Sequence, residues 1–86
     1  MANYSITFAR SARKELEALP NPLIKRIFTK IESLADEPRP NRCRKLQGFK
    51  DLWRIRIGDY RVIYSIDDSL ETVDIVAIRH RREAYS

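Results

Sequence analysis

A chain of 86 residues and 10.2 kDa accommodates one small domain, taken as residues 1–86, and leaves no room for a second catalytic unit. Hydrophobic residues at 43%, charged residues at 34%, two Gly and four Pro exclude a low-complexity or disordered chain. Lys and Arg number 17 against 12 Asp and Glu, giving a net charge of +5 and a pI near 9.7, so the expected partner is polyanionic, either nucleic acid or an acidic protein.

In chain order, Tyr4, Ile6 and Phe8 alternate with Ser5 and Thr7 and predict a short, half-buried strand. Ala9, Ala12, Leu16 and Leu19 recur at near-helical spacing, Arg13 and Glu17 can pair four apart, and Pro20 closes the segment. A second helix is expected with Asn21 as N-cap and Pro22 in the first helical position; its apolar stripe runs from Leu23 through Ile27, Phe28, Ile31 and Leu34 to about Ala35. The two helices, joined by a tight turn, predict an antiparallel pair. Glu37-Pro38-Arg39-Pro40-Asn41 then reads as a loop, because each Pro removes a donor and biases its predecessor toward extended backbone.

From Leu52 the period changes to two. Trp53, Ile55 and Ile57 fall on one face and Arg54 and Arg56 on the other; Gly58-Asp59 makes a two-residue turn of type II′, and Tyr60, Val62, Tyr64 and Ile66 continue the apolar face. A turn at 67–71 leads to a third strand at 72–78. The expected fold is α+β: an N-terminal strand, then a helix pair packed on one face of a small antiparallel sheet, in the order β-α-α-β-β-β.

A two-residue loop fixes the hairpin register, pairing Ile57 with Tyr60, Arg56 with Arg61, Ile55 with Val62 and Arg54 with Ile63. Arg56 therefore faces Arg61. Like charges opposed on a sheet are destabilising by roughly 0.2–1 kcal/mol, so stability alone does not select this arrangement. The helices must cover the apolar face, which leaves Arg54, Arg56 and Arg61 as a cationic platform on the open one, with Arg44, Lys45 and Lys50 nearby. Read blandly, these residues are a solvated face whose stems cover apolar surface. Convergence favours binding. Residues 39–61 hold eight basic and two acidic side chains, and the tail adds Arg79, His80, Arg81, Arg82 and Tyr85. The aromatics Trp53, Tyr60 and Tyr64 have the buried parity and read as core.

Cys43 is the only cysteine, which forbids an internal disulfide and a cysteine-based zinc cage. One His, one Cys and scattered carboxylates give no metal-ligand spacing, so no metal and no cofactor are expected. Neither a leader peptide nor a membrane span is indicated, and a reducing cytoplasm is the expected compartment. Phosphate chemistry without a metal fits these residues. RNA cleavage by attack of a ribose 2′-hydroxyl on its own phosphate needs cations around the developing charge, a group to take the 2′ proton and one to protonate the departing 5′ oxygen.

Arg44-Lys45-Leu46-Gln47-Gly48, Leu52-Trp53-Arg54-Ile55-Arg56-Ile57, Asp59-Tyr60-Arg61-Val62-Ile63-Tyr64 and His80-Arg81-Arg82-Glu83-Ala84-Tyr85 together resemble the RelE/ParE toxin superfamily of bacterial toxin–antitoxin systems, over nearly the whole length. The resemblance implies a RelE-type ribonuclease that cuts mRNA in the A site of the 70S ribosome and is held inactive by a cognate antitoxin; the free toxin is expected to be monomeric. It implies that Arg54 and Arg56 match the family's two basic positions on the first hairpin strand, Arg61 its phosphate-binding arginine, and Arg81 and Tyr85 its late arginine and C-terminal tyrosine. Where studied members have lysines, this chain has Arg54 and Arg56, and a guanidinium is a poor general base. Arg61, Arg54, Arg56 and Arg81 are therefore expected at the scissile phosphate. Tyr85 or His80 is expected in proton transfer, with Lys45 a further candidate for the base. Two other readings share the fold or the charge: a ParE-like inhibitor of DNA gyrase, and a non-enzymatic basic module that binds RNA or DNA.

Overall fold

A computed structural model describes residues 3–46, 48 and 51–80. Its elements are β1 (Ser5–Phe8), α1 (Arg10–Glu17), α2 (Asn21–Ser33), β2 (Arg44–Lys45), β3 (Leu52–Ile57), β4 (Tyr60–Asp67) and β5 (Thr72–His80). The expected α+β order is present with one strand added, the two-residue β2 ahead of the hairpin, and the five strands form one sheet in the order β1-β5-β4-β3-β2. The sheet is mixed. β2 through β5 run antiparallel, whereas β1 pairs in parallel with β5, Ser5 opposite Thr72 and Phe8 opposite Ile75.

Helix spacing decides what is buried. Ala12 and Leu16 of α1, Ile27 and Ile31 of α2, and Leu34 just beyond it pack on Ile55, Ile57, Val62, Tyr64, Ile66, Val73, Ile75 and Ile78 of the sheet. Burying an aliphatic side chain of this size contributes about 1.5–3 kcal/mol relative to exposure. Both helices therefore cover one face and leave the other open. Phe28, assigned to the apolar stripe, is exposed, although its ring stacks on Phe8 with centroids 6.3 Å apart.

The start of α2 differs from expectation by one residue. Pro20, not Asn21, is the N-cap: its ring fixes φ at −59° with an extended ψ of 146°, and its carbonyl accepts the amides of Leu23 and Ile24, each at 3.0 Å. Asn21 opens the helix and Pro22 follows it. The exposed Arg13–Glu17 pair forms at 3.6 Å.

The β3–β4 hairpin has the register expected from its two-residue loop: Ile57 opposite Tyr60, Arg56 opposite Arg61, Ile55 opposite Val62 and Arg54 opposite Ile63. Gly58 has φ of +60°, the left-handed conformation that a type II′ turn requires at its first central position, while Asp59 does not. Between β4 and β5 the register slips: Ile63 opposes Ala77 but Tyr64 opposes Ile75, so Val76 is an extra residue. This bulge reverses the facing of the strand, and buried positions pass from Val73 and Ile75 to Ile78.

Candidate nucleic-acid interface

Parity and register converge on the open face of the hairpin. Arg56 and Arg61 share it as a direct cross-strand pair, Arg54 stands two residues along, and Arg44 of β2 lies opposite Arg54. Preceding β2, a β-turn closed by the Cys43 amide on the Pro40 carbonyl (2.9 Å) carries Asn41 and Arg42 at its tip. Asn41, Arg42, Arg44, Arg54, Arg56, Gly58 and Arg61 line one open hollow of about 540 Å³. Five guanidinium groups from three strands and a loop thus border a single space.

Arg61 is the most enclosed of them, with 9% of its surface accessible, and the Arg56 Nε donates to the Gly58 carbonyl at 3.2 Å. Three ion pairs among the described residues, Arg13–Glu17, Arg39–Asp68 and Arg79–Glu15, involve side chains that do not line the hollow. Guanidinium stays protonated at any ordinary pH and presents paired N–H groups that match the oxygens of a phosphate. An array of this kind is suited to a phosphodiester and to charge developing on it. Among the described residues no group of three or more His, Cys, Asp or Glu is placed to hold a metal ion, and no helix is long and apolar enough to cross a membrane.

The other residues singled out from the sequence are placed differently. Lys45 opposes Trp53, so it takes the parity of the helix-facing side, and it lines an adjoining hollow with Cys43, Arg44, Leu46 and Arg54. His80 opposes Tyr60 and meets its ring edge-on, centroids 5.1 Å apart. It borders a second hollow with Glu15, Ala18, Leu19, Tyr60, Ile78 and Arg79, on the helix side of the sheet. The Val76 bulge is the reason, since an unbroken alternation would have put His80 with Arg61. Arg79 opposes Arg61, yet its guanidinium pairs with Glu15 of α1, whose other oxygen accepts the Ile78 amide at 3.0 Å. Lys50, Arg81 and Tyr85 lie outside the described residues.

Asn41 and Arg42 are not singled out by the sequence. The only signal is the block of positive charge at 39–61, because the path of a loop between two elements leaves no periodicity to read. That loop is held firmly. The buried Tyr64 hydroxyl donates to the Pro38 carbonyl at 2.9 Å. Burial pushes the Tyr64 phenol well above its ordinary range, and neighbouring Cys43 adds to the rise. Arg39 donates two hydrogen bonds to Asp68, at 3.2 and 2.9 Å, and lies over the Trp53 ring at 5.1 Å. Tyr4 donates to the same Asp68 carboxylate at 2.8 Å. Hydrogen bonds from Arg39 and then Tyr4 hold the Asp68 carboxyl below its usual value.

Residues 6–85 match the family described as the ParE toxin of the type II toxin–antitoxin system parDE. Toxin RelG of Mycobacterium tuberculosis is 33% identical, with 95% of each chain covered, and toxin RelE3 of Methanocaldococcus jannaschii is 29% identical over 93% of each. Among solved structures, the toxin–antitoxin complex RelBE2 of Mycobacterium tuberculosis superposes with a TM-score of 0.82 at 30% identity, covering 92% of this chain and 99% of that one. An archaeal RelE–RelB complex from Pyrococcus horikoshii gives 0.81 at 32% identity, over 94% and 97%. The isolated E. coli RelE toxin gives 0.79 at 26%, over 95% and 90%.

Proposed function

The chain belongs to the RelE/ParE family of toxins from type II toxin–antitoxin systems, and we propose that it is a ribosome-dependent, metal-independent endoribonuclease that cleaves mRNA in the A site. The observation that carries this reading is the single hollow bordered by Arg42, Arg44, Arg54, Arg56 and Arg61.

In the proposed reaction the 2′ oxygen attacks the adjacent phosphorus and the P–O5′ bond breaks. The products are a 2′,3′-cyclic phosphate and a free 5′-hydroxyl; one proton leaves the 2′-hydroxyl and one reaches the departing oxygen. Arg61, Arg54 and Arg56, joined by Arg81, hold the phosphate and counter the charge that builds on its equatorial oxygens. The sequence leaves proton transfer open between Tyr85 and His80. With His80 set against Tyr60 on the helix side, we assign the proton donor to Tyr85. Each arginine is a permanent cation, so the group that takes the 2′ proton lies outside this set.

The relatives solved with RelB-type antitoxins support a cognate antitoxin here. A basic hollow suits an acidic segment that orders on binding. Proposed further are a monomeric free toxin and action in the cytoplasm.

The family description itself favours a second reading, inhibition of DNA gyrase as in ParE. Primer extension on mRNA from cells briefly expressing the chain, run beside a gyrase supercoiling assay, separates the two. Codon-phased breaks are expected. Blocked supercoiling with intact message would transfer the assignment to gyrase, and intact message with unaffected gyrase would leave a basic binding module.

A further inference from the structure

Three observations concern the loop between α2 and β2, of which the catalytic proposal uses only the presence of Arg42 at the hollow. The loop changes sides of the sheet within a few residues. Arg39 lies over Trp53, whose parity is that of the helix side, whereas Arg42 reaches the hollow with Arg54 and Arg56 on the open side. Both ends of the crossing are fixed, at Pro38 by the Tyr64 hydroxyl and at Cys43 by packing against the core. Between them the turn at 40–43 is tight and begins with a proline.

We propose that Arg39, gripped by the Asp68 carboxylate and the Trp53 ring, is a positioning residue that sets where Arg42 and Arg44 stand across the hollow. Arg39 does not line the hollow itself. Its two hydrogen bonds to Asp68 fix the guanidinium plane, and Tyr4, bonded to the same carboxylate, fixes Asp68 in turn. A side chain held by a ring on one side and a carboxylate on another transmits a definite orientation to its own backbone, three residues before Arg42 and five before Arg44. Shape, rather than charge alone, is therefore delivered to the phosphate site: lysine at position 39 keeps the charge but loses the paired hydrogen bonds and the flat stacking surface.

The proposal rests on the hollow being a phosphate site and is tested by equilibrium binding, so a failure of nuclease action does not confound it. The probe is a short single-stranded RNA carrying 2′-O-methyl groups, which cannot be cleaved by 2′ attack, titrated against the full chain at several salt concentrations. Asp68→Asn makes the basic protein one unit more positive, which by charge alone would tighten binding; the clamp requires the opposite, a weakening of three- to tenfold. Arg39→Lys should weaken binding to a similar extent although net charge is unchanged. Each variant should also flatten the plot of log K against log salt by about 0.7 for every phosphate of the single strand that the protein no longer neutralises. In the background of Arg42→Ala with Arg44→Ala, Asp68→Asn should have no further weakening effect, because the residues it acts through are gone.

Wild-type or tighter binding by Asp68→Asn, or an undiminished loss in the doubly substituted background, would overturn the proposal. Both partners are solvent-accessible, so the variants are expected to melt as wild type does. If binding by Arg42→Ala with Arg44→Ala matched wild type, the hollow itself would not be the phosphate site, which is a separate failure that the same titration identifies.

Discussion

Arg56 and Arg61 stand directly opposite each other across the β3–β4 hairpin, on the face the helices leave open. A sheet selected for stability alone would place a threonine or an opposite charge at one of the two positions. Arg56→Thr should therefore raise stability by a few tenths of a kcal/mol, the relief of repulsion being partly offset by loss of the bond to Gly58, while mRNA cleavage falls. Urea denaturation and a cleavage time course on the same preparation check the two signs, and a loss of stability would contradict the pairing argument.

Arg61 is the most enclosed arginine of the hollow. Arg61→Ala is expected to lower the cleavage rate by about 10²–10³, the magnitude found when one donor to a developing oxyanion is removed. Arg61→Lys should recover only part of that, since an ammonium group restores charge without the paired donors. Single-turnover cleavage of programmed ribosomes measures both; equal activity of the two variants would reduce the site to simple charge.

The Tyr64 hydroxyl anchors the loop at Pro38. Tyr64→Phe leaves that carbonyl without its donor and should cost about 1 kcal/mol in chemical denaturation. The same hydroxyl sets an alkaline limit. Burial raises its folded-state pKa above the ordinary phenol value of 10.0, so the folded chain keeps a proton that the unfolded chain gives up. This contribution is complete below about pH 10 and declines as pH climbs toward the folded-state value. Wild type should lose stability more steeply than Tyr64→Phe above about pH 10; parallel curves would refute the assignment.

At Gly58 the obstacle to substitution is conformational, not steric. The atoms nearest an added Cβ belong to the Arg26 guanidinium, at 3.8 Å and so in ordinary contact, but φ is +60°. Gly58→Ala should cost about 1 kcal/mol and Gly58→Asn distinctly less, because asparagine tolerates the left-handed region. Thermal melts of the pair give the order, and a Gly58→Ala protein as stable as wild type would exclude the II′ geometry.

What could be read from the sequence divides along lines of locality. The Gly58-Asp59 turn set the register of four residue pairs in advance, and with it the meeting of Arg54, Arg56 and Arg61, because a two-residue loop admits one alignment. Arg44 also found its place opposite Arg54, but only through a two-residue strand too short to show alternation. Non-local choices were not legible. Nothing in residues 4–8 announces a parallel partner at 72–75, and nothing in the run from Thr72 to His80 marks Val76 as an extra residue. That one insertion separates His80 from the arginines, which a pattern with period two would have grouped together.

The pairing of β1 with β5 has a kinetic side. Thr7 donates its hydroxyl hydrogen to Asp74, 67 positions later, so the earliest strand to leave the ribosome has no neighbour until the latest has been synthesised. Pairings between such distant segments form slowly because a long loop must close before they give any return. Until β5 has been synthesised the nascent chain cannot complete its sheet, a delay written into the strand order.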